Sequence, residues 1–238
     1  MYFPARRNII SLLATLLASV FSLSAEEYTF PVESFKTLKI QDNVNVIYHC
    51  KSDGHGYVRY EGSTDFDDAF ILTVSGDVLK IQVNTEDVGK PGLPTLHIYS
   101  DKLAKVENYS DFDLIVEDAC ETQQFSAYLI GNGSITVDGL HTEKVNARVT
   151  AGNGSITLKG TAEKANFRMT GAGTINADDL KAKEVNCKIF GGGSIICVPE
   201  RSLKSVGIGS TKIQYHGSPE IIHKGGGKII SLDNPDRQ

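Results

Sequence analysis

The chain has 238 residues, 24 Lys+Arg against 29 Asp+Glu, 40% hydrophobic residues, 23 Gly, 4 Cys and no Trp. That apolar content excludes a disordered chain, and the glycines lack the three-residue period of collagen. An acidic chain without a basic cluster is a poor partner for nucleic acid, and the length suits one large domain or two small ones.

The first 25 residues read as an export signal. Arg6 and Arg7 precede an uncharged, mostly apolar run from Ile9 to Leu23, and the small residues Ser24 and Ala25 follow. This is the order of a secretory signal peptide, and the run is shorter than the ~20 residues that span a bilayer. Cleavage is expected after Ala25. No Cys stands at the junction to carry a lipid, and no second apolar stretch of membrane length follows. Removing Arg6 and Arg7 leaves 22 basic and 29 acidic residues, a charge near −7. Cys50, Cys120, Cys187 and Cys197 all lie in the exported part, where oxidation is possible. Four cysteines allow three pairings.

Beyond Glu26 almost every segment alternates apolar and polar residues, the signature of strands. Leu38 and Ile40, then Val44 and Val46, form one stretch. Ile71–Val74 and Val78–Val83 flank Ser75-Gly76-Asp77 and predict a hairpin, and Leu96–Tyr99 predicts another strand. No window shows a helical period, so the chain is expected to be all-β.

A second period appears in the C-terminal half. Val145-Asn146-Ala147-Arg148-Val149, Ala165-Asn166-Phe167-Arg168-Met169 and Val185-Asn186-Cys187-Lys188-Ile189 recur at 20-residue spacing. A charged pair precedes each copy and a glycine turn follows: Gly152-Asn153-Gly154, Gly171-Ala172-Gly173 and Gly191-Gly192-Gly193. The first copy carries one extra residue, Ala151, which predicts a bulge or a wider corner. Gly173 is expected at a corner that needs positive φ or close stacking. Within each copy the pleat sends Val145, Ala147 and Val149, or their equivalents, inward. One repeat cannot bury its own apolar face, whereas copies stacked ~4.8 Å apart bury them all. The expected fold is a right-handed single-stranded β-helix, a β-solenoid of about 20 residues per rung. The alternative is an antiparallel hairpin sandwich, which the placement of Cys187 and Cys197 about Gly192 would suit. Residues 26–105 are expected as a β region continuous with the solenoid, 106–232 as its repeats, and 233–238 as a polar tail.

The glycine turns resemble those of the putative auto-transporter adhesin, head GIN domain family. The residues that carry the resemblance are Gly131-Asn132-Gly133-Ser134-Ile135, Gly152-Asn153-Gly154-Ser155-Ile156 and Gly171-Ala172-Gly173-Thr174-Ile175-Asn176. Gly207-Ile208-Gly209-Ser210, Gly217-Ser218-Pro219-Glu220 and the opening Phe35–Ile40 also fit. The resemblance implies a β-helical fold and a cell-envelope or secreted location, with adhesion implied by name, and it brings no catalytic residues. Unlike in an autotransporter, the stretch after Ile230 is polar and is expected to be a tail, so self-translocation through a C-terminal barrel is not expected.

The stacked copies predict an outward stripe of Asn146, Arg148, Asn166, Arg168, Asn186 and Lys188. Its functional reading is an extended surface for a glycan or a cell-surface protein; its structural reading is a solvated face. Glu143, Glu163 and Glu184 are expected to screen the basic column, and stacked Asn side chains can hydrogen-bond along a ladder. Asp65, Asp67 and Asp68, and the pair Asp111 and Asp113, would suit glycoside hydrolysis or Ca²⁺ binding, but read better as loop residues. His49, Cys50 and His55 match no zinc spacing. Cys187 and Cys197 are expected as small buried thiols rather than a bridge. Tyr48, Tyr57, Tyr60 and Tyr109 form no evident row for stacking on sugars. Two classes result: an exported, non-catalytic binding solenoid, which is preferred, and a polysaccharide lyase or hydrolase on a β-helix. No metal, cofactor or catalytic residue is assigned.

Overall fold

The computed structural model describes residues 26–51, 56–62, 66 and 68–233. The expected export signal and residues 234–238 lie outside the described residues, as do His55, Asp65 and Asp67. In chain order the strands are β1 (Glu26–Val32), β2 (Thr37–Ile40), β3 (Val46–Cys50), β4 (Gly56–Gly62), β5 (Phe70–Ser75), β6 (Val78–Val83), β7 (Leu96–Ser100), β8 (Lys105–Asn108), β9 (Asp113–Asp118), β10 (Gln124–Leu129), β11 (Ser134–Thr150), β12 (Ser155–Gly171), β13 (Thr174–Gly191), β14 (Ser194–Ile208), β15 (Lys212–Tyr215), β16 (Glu220–Gly225) and β17 (Lys228–Ser231). No α-helix occurs among the described residues, and so no helix long and apolar enough to cross a membrane.

The strands stack as a β-solenoid. Each of the long strands β11 to β14 runs along one sheet, bends at a corner and continues along a second sheet. In the first sheet the parallel order is β3, β9, then the leading halves of β11, β12, β13 and β14, then β15 and β17. In the second it is β2, β8, β10, the trailing halves of β11 to β14, and β16. Between the two, Leu140, Gly160 and Leu180 pair in a narrow third strip. The copies meet in the register their spacing predicts: Asn146 faces Asn166 and Asn166 faces Asn186. Parallel pairing excludes the antiparallel sandwich. Cys187 pairs with Ser205 and Cys197 with Ala177, so these two thiols sit on different sheets, not across a hairpin.

Period two explains the core. Ile135, Ile156, Ile175, Ile195 and Ile213 form an inward column of one sheet, and Val145, Ala165, Val185 and Leu203 one of the other; all are at most 1% exposed. Burial of each of these Val, Ile and Leu side chains contributes about 1.5–3 kcal/mol. Ala151 absorbs the extra residue of its copy. It adopts φ 63°, the one left-handed non-glycine among the described residues. Ser134 thereby pairs with Ser155, 21 residues on, whereas Ser155 pairs with Thr174, 19 residues on.

The corners stack tightly. Gly171 has φ 126°, a backbone that L side chains avoid. Gly173 needs no positive φ; instead a Cβ there would lie 2.4 Å from the Gly154 carbonyl oxygen of the preceding layer. Close approach, rather than backbone conformation, is the reason for that glycine.

The N-terminal strands join the stack out of sequence order. β2 pairs in parallel with both β6 and β8, and β3 with both β7 and β9. The β6–β7 layer thus lies outside the β2–β3 layer, and the chain steps over its own first layer to reach β8. Antiparallel strands finish this end: β5 on β6 as the expected hairpin, and β4 on β7 with β1 on β4. The disulfide Cys50–Cys120, with Cα atoms 5.3 Å apart, ties β3 to the turn before β10. The Tyr48 hydroxyl donates to the Ser100 carbonyl at 2.8 Å beside it, and burial pushes its phenol up to about 12.

Candidate functional site

The second sheet carries the stripe expected from the repeats. Its inward residues Val145, Ala165 and Val185 fix the pleat, so the next residue of each layer points out: Asn146, Asn166 and Asn186, half-buried at the floor. Asn166 Nδ2 donates to Asn146 Oδ1 at 3.2 Å, and Asn186 Nδ2 to Asn166 Oδ1 at 3.2 Å. Asn146 Nδ2 continues the ladder to Ser126 Oγ at 3.3 Å. This ladder leaves each amide in one orientation.

Arg148, Arg168 and Lys188 stand exposed in the adjacent column, one per layer. With Lys144, Tyr128 and the three Asn they line a shallow groove of about 400 Å³. Lys105 lies over the Tyr128 ring at 4.7 Å. Arg148 Nε donates to Thr150 Oγ1 at 2.9 Å. Arg168 packs over Phe190 at 6.0 Å.

The acids do not screen this column as expected. Register places Glu184 in the column of Lys144 and Lys164, not beneath Glu163. Glu184 pairs with Lys164 at 3.6 Å, and Glu163 pairs with Lys183. Among the described residues no ion pair reaches Arg148, Arg168 or Lys188. Like charges stacked on neighbouring strands are unfavourable without a counter-ion.

The other sequence candidates fall elsewhere. Asp111 Oδ1 accepts from the Asn132 backbone N–H and side-chain amide, both at 3.1 Å, and Asp113 Oδ1 accepts from Ser134 Oγ at 2.6 Å. Asn43 serves the Asp111 N–H at 2.9 Å in the same manner, and Asn132 serves the Asn153 N–H at 3.2 Å. These side chains cap the corner of the next layer, a structural task. Asp68 is exposed at the opposite end of the molecule from the repeats. Cys50 is consumed by its disulfide. Among the described residues no group of three metal-ligating side chains converges. Cys187 and Cys197 are buried free thiols; a hydrogen bond with Cys197 and then burial raise the Cys187 thiol well above its usual value.

The tyrosines hold a feature that the pleat alone does not reveal. Tyr48 and Tyr60 point inward. Tyr57, however, stacks on Tyr99 at 4.5 Å, Tyr99 on His49 at 4.5 Å, and His49 on His97 at 5.4 Å. Lys51 and Arg59 flank the row, and Glu117 reaches His49 Nδ1 at 3.0 Å. Burial lowers the His49 imidazole below its ordinary value, against the opposing pull of Glu117. The rings cover one another's faces, and the row braces the first sheet. The alignment depends on the β4–β7 and β3–β7 pairings, which join residues 38 to 50 apart with no repeat to announce them.

Comparison with known proteins agrees with this architecture. A putative adhesin from Bacteroides fragilis is 23% identical, with TM-score 0.79, over 89% of this chain and 98% of its own. A putative adhesin from Parabacteroides distasonis is 19% identical, with TM-score 0.70, over 87% and 96%. A second Parabacteroides distasonis protein, described as a putative lipid binding protein, is 19% identical, with TM-score 0.67, over 89% and 98%. At these identities the likeness speaks for the fold. No curated protein matches the sequence. The family profile described as "Putative auto-transporter adhesin, head GIN domain" matches residues 34–219, and the chain belongs to that family.

Proposed function

We propose that the protein is an exported, non-catalytic solenoid of the cell envelope or secreted space that binds an acidic glycan along its second sheet. The stripe Asn146, Arg148, Asn166, Arg168, Asn186 and Lys188 is the contact surface. One observation carries this reading: three cations stand one per layer with no acid among the described residues paired to them, over a floor of asparagines held in register. A linear polyanion meets repeating charge with repeating charge. The amides of the floor add hydrogen-bonding groups at the same pitch. The signal-like residues 1–25 and the adhesin family support an exported, surface-binding role.

Isothermal titration with polygalacturonate, and with neutral dextran as the control, tests the proposal. Binding of the polyanion that weakens with salt is expected, because the contacts are exposed ion pairs. Two charge reversals, Arg148→Glu with Arg168→Glu, are expected to weaken it about tenfold, at ~0.2–1 kcal/mol for each pair lost plus the new repulsion. Melting of the double variant should match the parent, since both side chains are exposed. Equal binding of dextran, or an unchanged isotherm for the double variant, removes the stripe as the binding surface.

A further inference from the structure

The N-terminal end of the solenoid ends in an open mouth. β1 and β5 are the outermost strands of their respective sheets, and a cleft of about 650 Å³ lies between them. Phe30 and Val32 of β1 form one wall, and Phe70 and Leu72 of β5 the other. The Tyr60 ring forms the floor, 5.9 Å from Phe30 and 5.1 Å from Phe70. Its hydroxyl donates to the Phe66 carbonyl at 2.8 Å, so the ring presents carbon to the cleft.

These wall residues sit at core positions without core burial. Phe30 faces Val58 and Leu72 faces Ile81 in the neighbouring strands. Val58 and Ile81 are 0% exposed, whereas Phe30 and Leu72 are only half-buried. Among the described residues nothing covers this last layer of the core, and apolar area left in water forgoes about 25 cal/mol per Å². The volume lies within the range of small-molecule sites, about 300–1,000 Å³. Two exposed carboxylates, Glu33 and Asp68, complete the lining, and no cationic side chain does so among the described residues.

We propose that this mouth binds a long-chain aliphatic amine. The chain lies between Phe30 and Leu72 on the Tyr60 ring, and the ammonium meets Glu33 and Asp68. The acids disfavour a fatty acid, whose carboxylate would meet two like charges. They equally disfavour a second copy docked mouth to mouth, which would oppose four carboxylates. The site lies at the N-terminal end of the stack, with four strands between β5 and the nearest layer of the basic stripe, and is independent of it.

Titration of the purified protein with dodecylamine, dodecanol and dodecanoate, each below its micelle concentration, tests the proposal. Saturable binding of one dodecylamine per chain is expected, with dodecanoate at least tenfold weaker. Leu72→Glu should abolish it. Because Leu72→Glu could also perturb the fold, Glu33→Gln and Asp68→Asn serve as surface variants: they should bring dodecylamine down to the affinity of dodecanol while the melting midpoint stays unchanged. Failure of dodecylamine to saturate, equal affinity for dodecanoate, indifference of both surface variants, or a dimer in sedimentation that blocks the amine would each overturn the assignment.

Discussion

Replacing Gly173 by Ala isolates the claim that neighbouring corners stack too closely for a Cβ. The added carbon would lie 2.4 Å from the Gly154 carbonyl oxygen and 3.0 Å from Val149 Cγ1. Reaching a van der Waals contact requires the corner to open by roughly 1 Å. That oxygen also accepts the Thr174 N–H at 3.1 Å, so opening the corner weakens the ladder that joins two layers. Overpacking costs about 1–3 kcal/mol, and one weakened backbone bond about 0.5–1.5 kcal/mol. The sum, about 2–4 kcal/mol, corresponds to a fall of roughly 5–15 °C in melting midpoint for a domain of this size. Two companions separate the causes. Gly171→Ala meets nothing nearer than 3.3 Å but must keep φ 126°, and should cost about 1–3 kcal/mol from backbone strain alone. Gly192→Ala meets nothing within 4 Å and needs no positive φ. It should leave the midpoint unchanged or raise it, by at most about 1 kcal/mol of unfolded-state entropy. Circular dichroism melts of the three variants decide the matter. A Gly173→Ala midpoint equal to the parent's, or a Gly192→Ala loss as large, refutes the stacked-corner account.

Reduction of Cys50–Cys120 should destabilise the fold, because the bridge closes a loop with sequence separation 70 and so restricts the unfolded chain by about 4 kcal/mol. Urea midpoints with and without reductant measure this, and a Cys50→Ser variant insensitive to reductant completes the test; coincident curves for the oxidised and reduced parent would count against it. Acid should also weaken the N-terminal layers through His49. Its folded pKa lies below the ordinary 6.5, so the unfolded chain binds the proton more readily. The contribution is complete above pH 6.5 and is lost as pH falls through the lower folded value. Stability measured from pH 8 to pH 5 should decline less for His49→Gln than for the parent; parallel profiles exclude His49 as the source.

The repeats were legible because each strand pairs with a copy of itself. Asn146, Asn166 and Asn186 share a column since 20 residues separate them in sequence and one layer separates them in space. The same reasoning is blind where a strand pairs with an unrelated one. Thr37 of β2 meets Val78 on one side and Lys105 on the other, and no internal likeness links those segments. The aromatic row of Tyr57, Tyr99 and His49, and the mouth between β1 and β5, both lie in that region, and alternation alone places none of these residues beside another.

The charged pairs before each repeat show what position-by-position reading adds. The order is Glu143-Lys144, then Glu163-Lys164, then Lys183-Glu184. Treated as a motif, the three pairs look alike; treated by register, the third is inverted. The inversion sets Lys183 against Glu163 and Glu184 against Lys164, which turns two like-charge stacks into two ion pairs. Four residues further on, Arg148, Arg168 and Lys188 keep one sign through the same three layers, and no such exchange occurs. A single change to Glu at position 168 would have supplied the missing pairing at no cost in burial, since the side chain is exposed. Between the second and third of these layers the strands thus relieve stacked repulsion in the column of Lys164 and retain it in that of Arg168, while Lys144 still stacks on Lys164 in the first. Retention is what a surface that receives its counter-charge from an external polyanion requires, and it makes Arg168→Glu alone informative: the variant should hold or raise the melting midpoint while it weakens polygalacturonate binding. A midpoint that falls instead would make the basic column structural.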